Sequence, residues 1–101
     1  IIYEINEEEE VFFPDFILIN LKVKEITLCE VKRHDSPDFI NKYKGMYKWI
    51  KENCELNLKG LFITKIDGVL YDSNVIEDIK KIKMSPDVES WKNKDIGRPL
   101  L

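Results

Sequence analysis

Two apolar segments joined by a short polar link constrain the fold more than any other feature of this chain. Phe12–Ile19 and Ile26–Val31 are rich in aromatic and β-branched residues, which favour strands. The link Leu21–Lys24 contains no Asn-Gly or similar signal, so its turn type stays open. A turn centred between Lys22 and Val23 predicts an antiparallel hairpin in which opposed residue numbers add up to 45.

Three charged side chains interrupt these segments: Asp15, Glu30 and Lys32. In the predicted register Asp15 lies opposite Glu30, with the Cβ atoms roughly 4.5–5.5 Å apart. Lys32 follows Glu30 by two residues, so both side chains point to one face. Because opposed carboxylates repel each other, the arrangement predicts a cation between them. Mg²⁺ suits this place, since it takes carboxylate oxygens and shares its shell with substrate phosphate.

Pro14-Asp15, fourteen intervening residues and then Glu30-Val31-Lys32 resemble the signature of the PD-(D/E)XK nuclease superfamily, here PDF…EVK. The resemblance covers residues 1–66 and implies an α/β fold with a restriction-endonuclease-like core. That core is a mixed central β-sheet flanked by helices in the order αβββαβ, and its first helix has no counterpart here. Because the first residue is Ile, we expect a longer chain whose N-terminal part could hold that helix. The expected division is a nuclease-like domain over 1–83 and a C-terminal tail over 84–101.

The same resemblance implies a Mg²⁺- or Mn²⁺-dependent endonuclease that hydrolyses phosphodiester bonds of nucleic acid. Its substrate would be DNA in the first place, with RNA as the alternative, in restriction, recombination, repair, transposition or defence. Asp15 and Glu30 would bind the metal, with Glu4 and the backbone carbonyl of Val31 as further candidate ligands. Lys32 would hold or deprotonate the attacking water, or offset charge on the phosphate. For Glu4, a solvent-facing position is the equal alternative.

A helix is predicted to follow the hairpin and to run to about Asn53. Ser36-Pro37-Asp38 supplies an N-cap, a proline at the first position and an acid in the first turn. Apolar residues at helical spacing predict a buried stripe, and Gly45 inside it would allow close packing on the sheet.

Four residues near the site are candidates for binding nucleic acid. The resembled family often places a Lys, Gln or Tyr on this helix near the metal, which makes Lys42 and Tyr43 candidates. Arg33 and His34 follow shortly after the second strand. The alternative is a solvated helix face with aromatic residues in the core.

Further elements are predicted on both sides of this region. Glu8–Glu10 is expected to form a solvated turn. The other predictions are a first strand Ile1–Ile5 that pairs with the hairpin, a central strand Leu58–Ile66, a turn at Asp67-Gly68, a short strand Val69–Tyr71, and a helix capped by Asn74 and Glu77 that ends at about Lys83.

Composition limits the possible partners. The net charge of −3 argues against strong non-specific binding to nucleic acid, although residues 22–59 are rich in lysine. Cys29, expected in the core, and Cys54 have no CxxC partner or nearby histidine, which argues against zinc. No segment has the length of a membrane span and no signal peptide is present, so a cytoplasmic or nucleoid-associated protein that is not secreted is expected. A homodimer or a larger protein context is the expected assembly.

Two other functions stay open. The chain could be a catalytically inactive nuclease-like domain that binds nucleic acid or protein. It could also be an unrelated small α/β domain in which the PDF…EVK match is accidental, with Glu30 and Lys32 on the solvated face of an edge hairpin.

Overall fold

The structure is a computed structural model that describes residues 1–82 and 98–99 of the 101-residue chain. It is a small α/β fold with a mixed sheet. The elements in chain order are β1 (Ile2–Ile5), β2 (Glu8–Val11), β3 (Phe16–Asn20), β4 (Glu25–Val31), α1 (Phe39–Glu52), β5 (Leu58–Ile66), β6 (Val69–Asn74), α2 (Val75–Asp78) and β7 (Arg98–Pro99).

The main sheet has the strand order β3-β4-β5-β6-β7. β3 and β4 form the predicted antiparallel hairpin, and Phe16 pairs with Cys29 and Ile19 with Ile26, so the predicted register is confirmed. The first strand starts at Phe16 instead of Phe12. α1 connects β4 to β5, which run parallel, and β6 returns antiparallel to β5. A mixed sheet follows from these connections, because a hairpin joins antiparallel strands whereas a helical crossover joins parallel ones.

Both helices contribute to one hydrophobic core on the same face of the sheet. Gly60 of β5 lies beneath them, and a Cβ atom there would come within 2.8 Å of Met46 and Ile50 and 3.3 Å of Val75. The residues Phe39, Tyr43 and Phe62 pack their rings together in this core and are completely buried. α1 begins at Phe39 with Asp38 in the N-cap position and ends at Glu52, so the predicted end is confirmed but the predicted Ser36 cap is wrong.

The N-terminal segment forms a separate hairpin. β1 pairs with β2 in a two-stranded sheet, so the prediction that Ile1–Ile5 pairs with the β3–β4 hairpin is wrong, and Glu8–Glu10 is an exposed strand and not a turn. The hairpin packs on α1 at Gly45, whose place for a Cβ lies 2.8 Å from the Ile2 carbonyl oxygen and from Tyr3 Cβ. Gly45 therefore permits close packing, as predicted, but against this hairpin.

The C-terminal half agrees with the sequence in outline. β5 matches the predicted Leu58–Ile66, and Asp67 and Gly68 form the turn with φ angles of 51° and 80°. β6 extends to Asn74, whose side chain accepts hydrogen bonds from the N–H groups of Ile76 and Glu77. α2 is one turn long, whereas the prediction had it reach about Lys83.

Of the predicted tail, the structure describes only the short strand β7, which pairs with β6 through Tyr71 and Asp72. The remainder of 84–101 lies outside the described residues. Within the described residues, no helix is long and apolar enough to cross a membrane.

Candidate metal centre

Asp15 and Glu30 meet at the open end of the β3–β4 hairpin. Asp15 directly precedes β3, and its Oδ2 accepts a hydrogen bond of 2.8 Å from the Val31 backbone N–H. This bond continues the antiparallel ladder and places the Asp15 side chain beside Glu30, as the predicted register requires. Glu30 is only 4% exposed, so the sheet buries one of the two carboxylates.

Glu30 is a buried carboxylate whose surroundings disfavour its ionised form. Burial raises the pKa of Glu30, and the neighbouring Asp15 raises it further, while Lys42 acts in the opposite direction. Its Oε2 lies 3.5 Å from the Lys42 Nζ. Its Oε1 is the only buried side-chain N or O atom without a hydrogen-bond partner in the described part of the chain. An unpaired buried carboxylate oxygen is costly, which marks this atom as a candidate ligand position.

Lys42 supplies the positive charge nearest to Glu30. It was predicted to contact nucleic acid, but its side chain is 14% exposed and points to Glu30, with Asp38 Oδ2 at 3.8 Å. The rings of Tyr3 and Phe12 cover its Nζ at 5.7 and 5.1 Å. The sequence carried a signal for this position, because Lys42 is four residues after Asp38 and so lies on the same face of the helix.

Lys32 is held by Asp38. The Lys32 Nζ lies 3.0 Å from Asp38 Oδ1, and the Ser36 hydroxyl donates a 2.7 Å hydrogen bond to the same carboxylate oxygen. Burial lowers the pKa of Lys32, but the ion pair with Asp38 outweighs that effect and the pKa is raised overall. Lys32 therefore stays protonated at neutral pH and offers positive charge, which argues against its use as a base. Asp38 was predicted only as an acid in the first helical turn.

Three of the other predicted site residues lie away from the carboxylate pair or are closed off from ligands. Tyr43, predicted to contact nucleic acid, is completely buried in this structure, and its hydroxyl lies 2.7 Å from Ser73 Oγ. Arg33 is exposed and pairs with Asp35 at 2.9 Å. The backbone N–H of His34 donates to Thr64 Oγ1 at 2.9 Å, which holds the loop after β4 against β5.

Glu4 is exposed on β1 and lines a groove of about 470 Å³ between the β1–β2 hairpin and α1. Lys44 and Lys48 line the same groove. In the described residues no group of three or more His, Cys, Asp or Glu side chains could together hold a metal ion. The structure thus brings Asp15 and Glu30 together, but not Glu4 with them.

The pair fits a hard divalent cation. Two carboxylates provide oxygen ligands, and the Glu30 Oε1 accepts no hydrogen bond from the described residues. The Val31 carbonyl points to the same side of β4 as the Val31 N–H, and so toward Asp15, because an extended residue directs both groups to one side. Two carboxylates, one carbonyl and water match the sparse protein shell that Mg²⁺ accepts.

Comparison of the chain with protein-family models, with curated proteins and with solved structures found no match. Functional inference therefore depends on the site itself.

Proposed function

We propose that this protein is a divalent-metal-dependent nuclease that hydrolyses phosphodiester bonds, with DNA as its substrate. The observation that carries the proposal is the buried Glu30 Oε1, which has no partner among the described residues and lies next to a second carboxylate, Asp15. A fold that buries the Glu30 carboxylate next to the exposed carboxylate of Asp15 meets a repulsion between them, and a bound cation removes it.

Each charged residue would have a distinct role. Asp15 and Glu30 would hold Mg²⁺ or Mn²⁺ with the Val31 carbonyl. The ion would polarise the phosphate and lower the pKa of bound water. Lys32, kept protonated by Asp38, would offset negative charge on the phosphate. Lys42 would neutralise Glu30 until the metal binds.

The strand order supports the same proposal at the level of the fold. A hairpin, a helix and a parallel strand follow one another as β3-β4-α1-β5, with the acid before β3, the acid near the end of β4 and the lysine directly after it. This order is similar to the sheet and helix of the PD-(D/E)XK nucleases. The first helix of that core has no counterpart in the described residues.

The decisive experiment measures metal binding and cleavage separately. Mn²⁺ binding would be followed by calorimetry, and cleavage of duplex, single-stranded and branched DNA and of RNA on gels. We expect wild type to bind Mn²⁺ and to cut DNA only with Mn²⁺ or Mg²⁺. Asp15→Asn and Glu30→Gln should each lose binding and cleavage, whereas Lys32→Met should keep Mn²⁺ binding and lose cleavage by roughly 10²-fold or more.

The matched control is Asp35→Asn, an exposed carboxylate three residues beyond Lys32. It should leave metal binding and cleavage unchanged. Absence of Mn²⁺ binding to folded wild type would refute the proposal, as would cleavage that persists in Glu30→Gln.

A second candidate function, a non-catalytic binding domain with the same core, is favoured by one observation. Lys42 already gives Glu30 a cation at 3.5 Å, so the site is partly neutralised by the chain itself. In such a domain Asp15→Asn would leave ligand binding unchanged and millimolar Mn²⁺ would not alter thermal stability.

A further inference from the structure

The first edge of the main sheet, β3, combines a free backbone with an unusual apolar surface. β3 is the terminal strand of the sheet order, and no strand in the described residues pairs with its outer side. Phe16, Ile17, Leu18 and Ile19 are each between 57% and 61% exposed, although they alternate between the two faces of the sheet. Natural edge strands usually carry charges, proline or a bulge that prevents pairing, and Phe16–Ile19 contains no charge or proline.

The opposite edge of the sheet, formed by β7, is less suited to pairing with another strand. β7 is two residues long and includes Pro99, which has no backbone N–H to donate. A second strand can therefore add readily to β3, whereas β7 resists such addition. An assembly built through β3 would stop at two copies and would not extend into a fibre.

The free backbone groups of β3 can be identified from those of β4. The N–H groups of Ile26 and Lys32 donate to Asn57 and Ile63 on the β5 side. Even-numbered residues of β4 thus bond toward β5, and odd-numbered ones toward β3, as the Val31 N–H does. In the β3–β4 register, each even-numbered residue of β3 lies opposite an odd-numbered residue of β4, and these pairs exchange the backbone hydrogen bonds. The odd-numbered residues Ile17 and Ile19 therefore direct their N–H and C=O groups outward, away from β4.

We propose that β3 pairs antiparallel with β3 of a second copy of this chain and so joins two sheets into one. Outward-facing groups match over the full strand when Ile17 of one copy exchanges hydrogen bonds with Ile19 of the other, and Leu18 then faces Leu18 across the two-fold axis. The interface in this register is isologous, because both copies contribute the same residues of β3 and are related by a two-fold axis.

The exposed apolar area along β3 is large. The four strand side chains, with Phe13 at 83% and Leu21 at 84% exposure, present roughly 700 Å² per copy, divided between the two faces of the sheet. A second copy at the edge would cover the part of this area that lies beside its own strand, which is less than the roughly 800 Å² per partner of a standard interface. Backbone hydrogen bonds between the two β3 strands would supply the rest of the affinity.

The pairing would also set the distance between the two candidate metal centres. Asp15 would lie opposite Leu21 of the second copy, so the two Asp15 residues would be six positions apart along the strands, roughly 20 Å. The two-fold axis is perpendicular to the sheet, which places both centres on the same face. The pairing itself does not depend on the proposed nuclease function.

The test uses association and cross-linking, neither of which measures cleavage. Sedimentation equilibrium of the full chain should give a mass near twice 12.0 kDa. Ile17→Lys and Ile19→Lys should each weaken the dimer at least tenfold, with circular dichroism to confirm folding. Leu56→Lys, at an exposed apolar residue outside the sheet, should leave the mass unchanged.

Cysteine cross-linking tests the register. In a Cys54→Ser background, Leu18→Cys should form an intermolecular disulfide, because a non-hydrogen-bonded antiparallel pair has Cα atoms about 4.5 Å apart, within the disulfide range. Leu21→Cys is more exposed but would lie roughly 20 Å from its copy, so it should not cross-link efficiently. A monomeric wild type, or a dimer that is indifferent to both lysine variants, would overturn the proposal.

Discussion

The Glu30 carboxylate is the residue at which stability and the proposed function oppose each other. Its two nearest charged neighbours act in opposite directions, since Asp15 disfavours the ionised form and Lys42 favours it. Burial also disfavours ionisation, so the pKa of Glu30 lies above its ordinary value of 4.5. An uncharged side chain at position 30 would fill the same space without this electrostatic cost, so packing alone does not explain the glutamate.

Glu30→Gln should therefore stabilise the metal-free protein at neutral pH, by about 0.5–2 kcal/mol in the free energy of unfolding. Well below pH 4.5 Glu30 is protonated in both the folded and the unfolded chain, so the gain should shrink toward zero as the pH falls. As the pH rises through the raised pKa of Glu30, the unfolded chain ionises first and wild type loses stability relative to the variant. Urea denaturation of both proteins between pH 4 and 8 measures this difference.

Glu55→Gln, at an exposed residue of the α1–β5 loop, is the control and should show no comparable gain. A loss of stability in Glu30→Gln at pH 7 would mean that the ion pair with Lys42 outweighs burial and the repulsion from Asp15.

Lys42→Met should destabilise the protein by about 2–3 kcal/mol, because it leaves the Glu30 charge without its nearest cation. In the Glu30→Gln background the same change should cost much less, and a double-mutant cycle should give a coupling of roughly 0.5–3 kcal/mol. The exposed pair Lys48 and Glu52, 3.9 Å apart, provides the matched control cycle and should give less than about 0.5 kcal/mol. Equal coupling in the two cycles would contradict a special role for Lys42.

At the scale of elements, the two hairpins show what the sequence can and cannot predict. The β3–β4 register followed from apolar segments of sufficient length and a central turn, and it placed Asp15 beside Glu30 correctly. The β1–β2 hairpin was missed because its turn residues, Asn6 and Glu7, have φ angles of 51° and 64°, and Glu rarely adopts such a conformation. Four consecutive glutamates also conceal the strand β2.

Apart from the Lys42–Asp38 pair, which has the i,i+4 spacing of a helix, the contacts of the site depend on tertiary structure that no local pattern contains. Asp38 was expected as an acid in the first turn of α1, but it occupies the N-cap position and contacts Lys32 across the β4–α1 connection. Tyr43 has the spacing of a core residue and also the position of a possible ligand contact, and only its hydrogen bond to Ser73 decides between them. The rings that cover the Lys42 Nζ come from Tyr3 in β1 and from Phe12 directly after β2, and this hairpin was not predicted.

Gly45→Ala tests how the β1–β2 hairpin is attached to α1. Alanine favours the helix by about 1 kcal/mol, but its Cβ would lie 2.8 Å from the Ile2 carbonyl oxygen and from Tyr3 Cβ. Overpacking of this kind costs about 1–3 kcal/mol, so we expect a net loss near 1 kcal/mol. Hydrogen exchange should accelerate at residues 1–12 and remain slow in β4 and β5.

Lys51→Ala, at an exposed position of the same helix outside the groove between α1 and the hairpin, is the control. Faster exchange over the entire chain in Gly45→Ala would show that the hairpin and the main sheet unfold as one unit.

At the scale of the whole molecule, metal binding should link stability to pH. An ion that binds only the folded chain adds about 2.7 kcal/mol to the free energy of unfolding at one hundred times its dissociation constant. The added stability requires ionised Glu30, so it should be full above the raised pKa of Glu30 and should disappear as the pH falls through it. Thermal melts with and without Mn²⁺ at pH 8 and pH 4 should show a shift only at pH 8.

Asp15→Asn should abolish that shift, whereas Asp35→Asn should keep it. A shift of equal size in both variants would place the ion elsewhere, because Asp15 lies beside Glu30 whereas Asp35 pairs with Arg33.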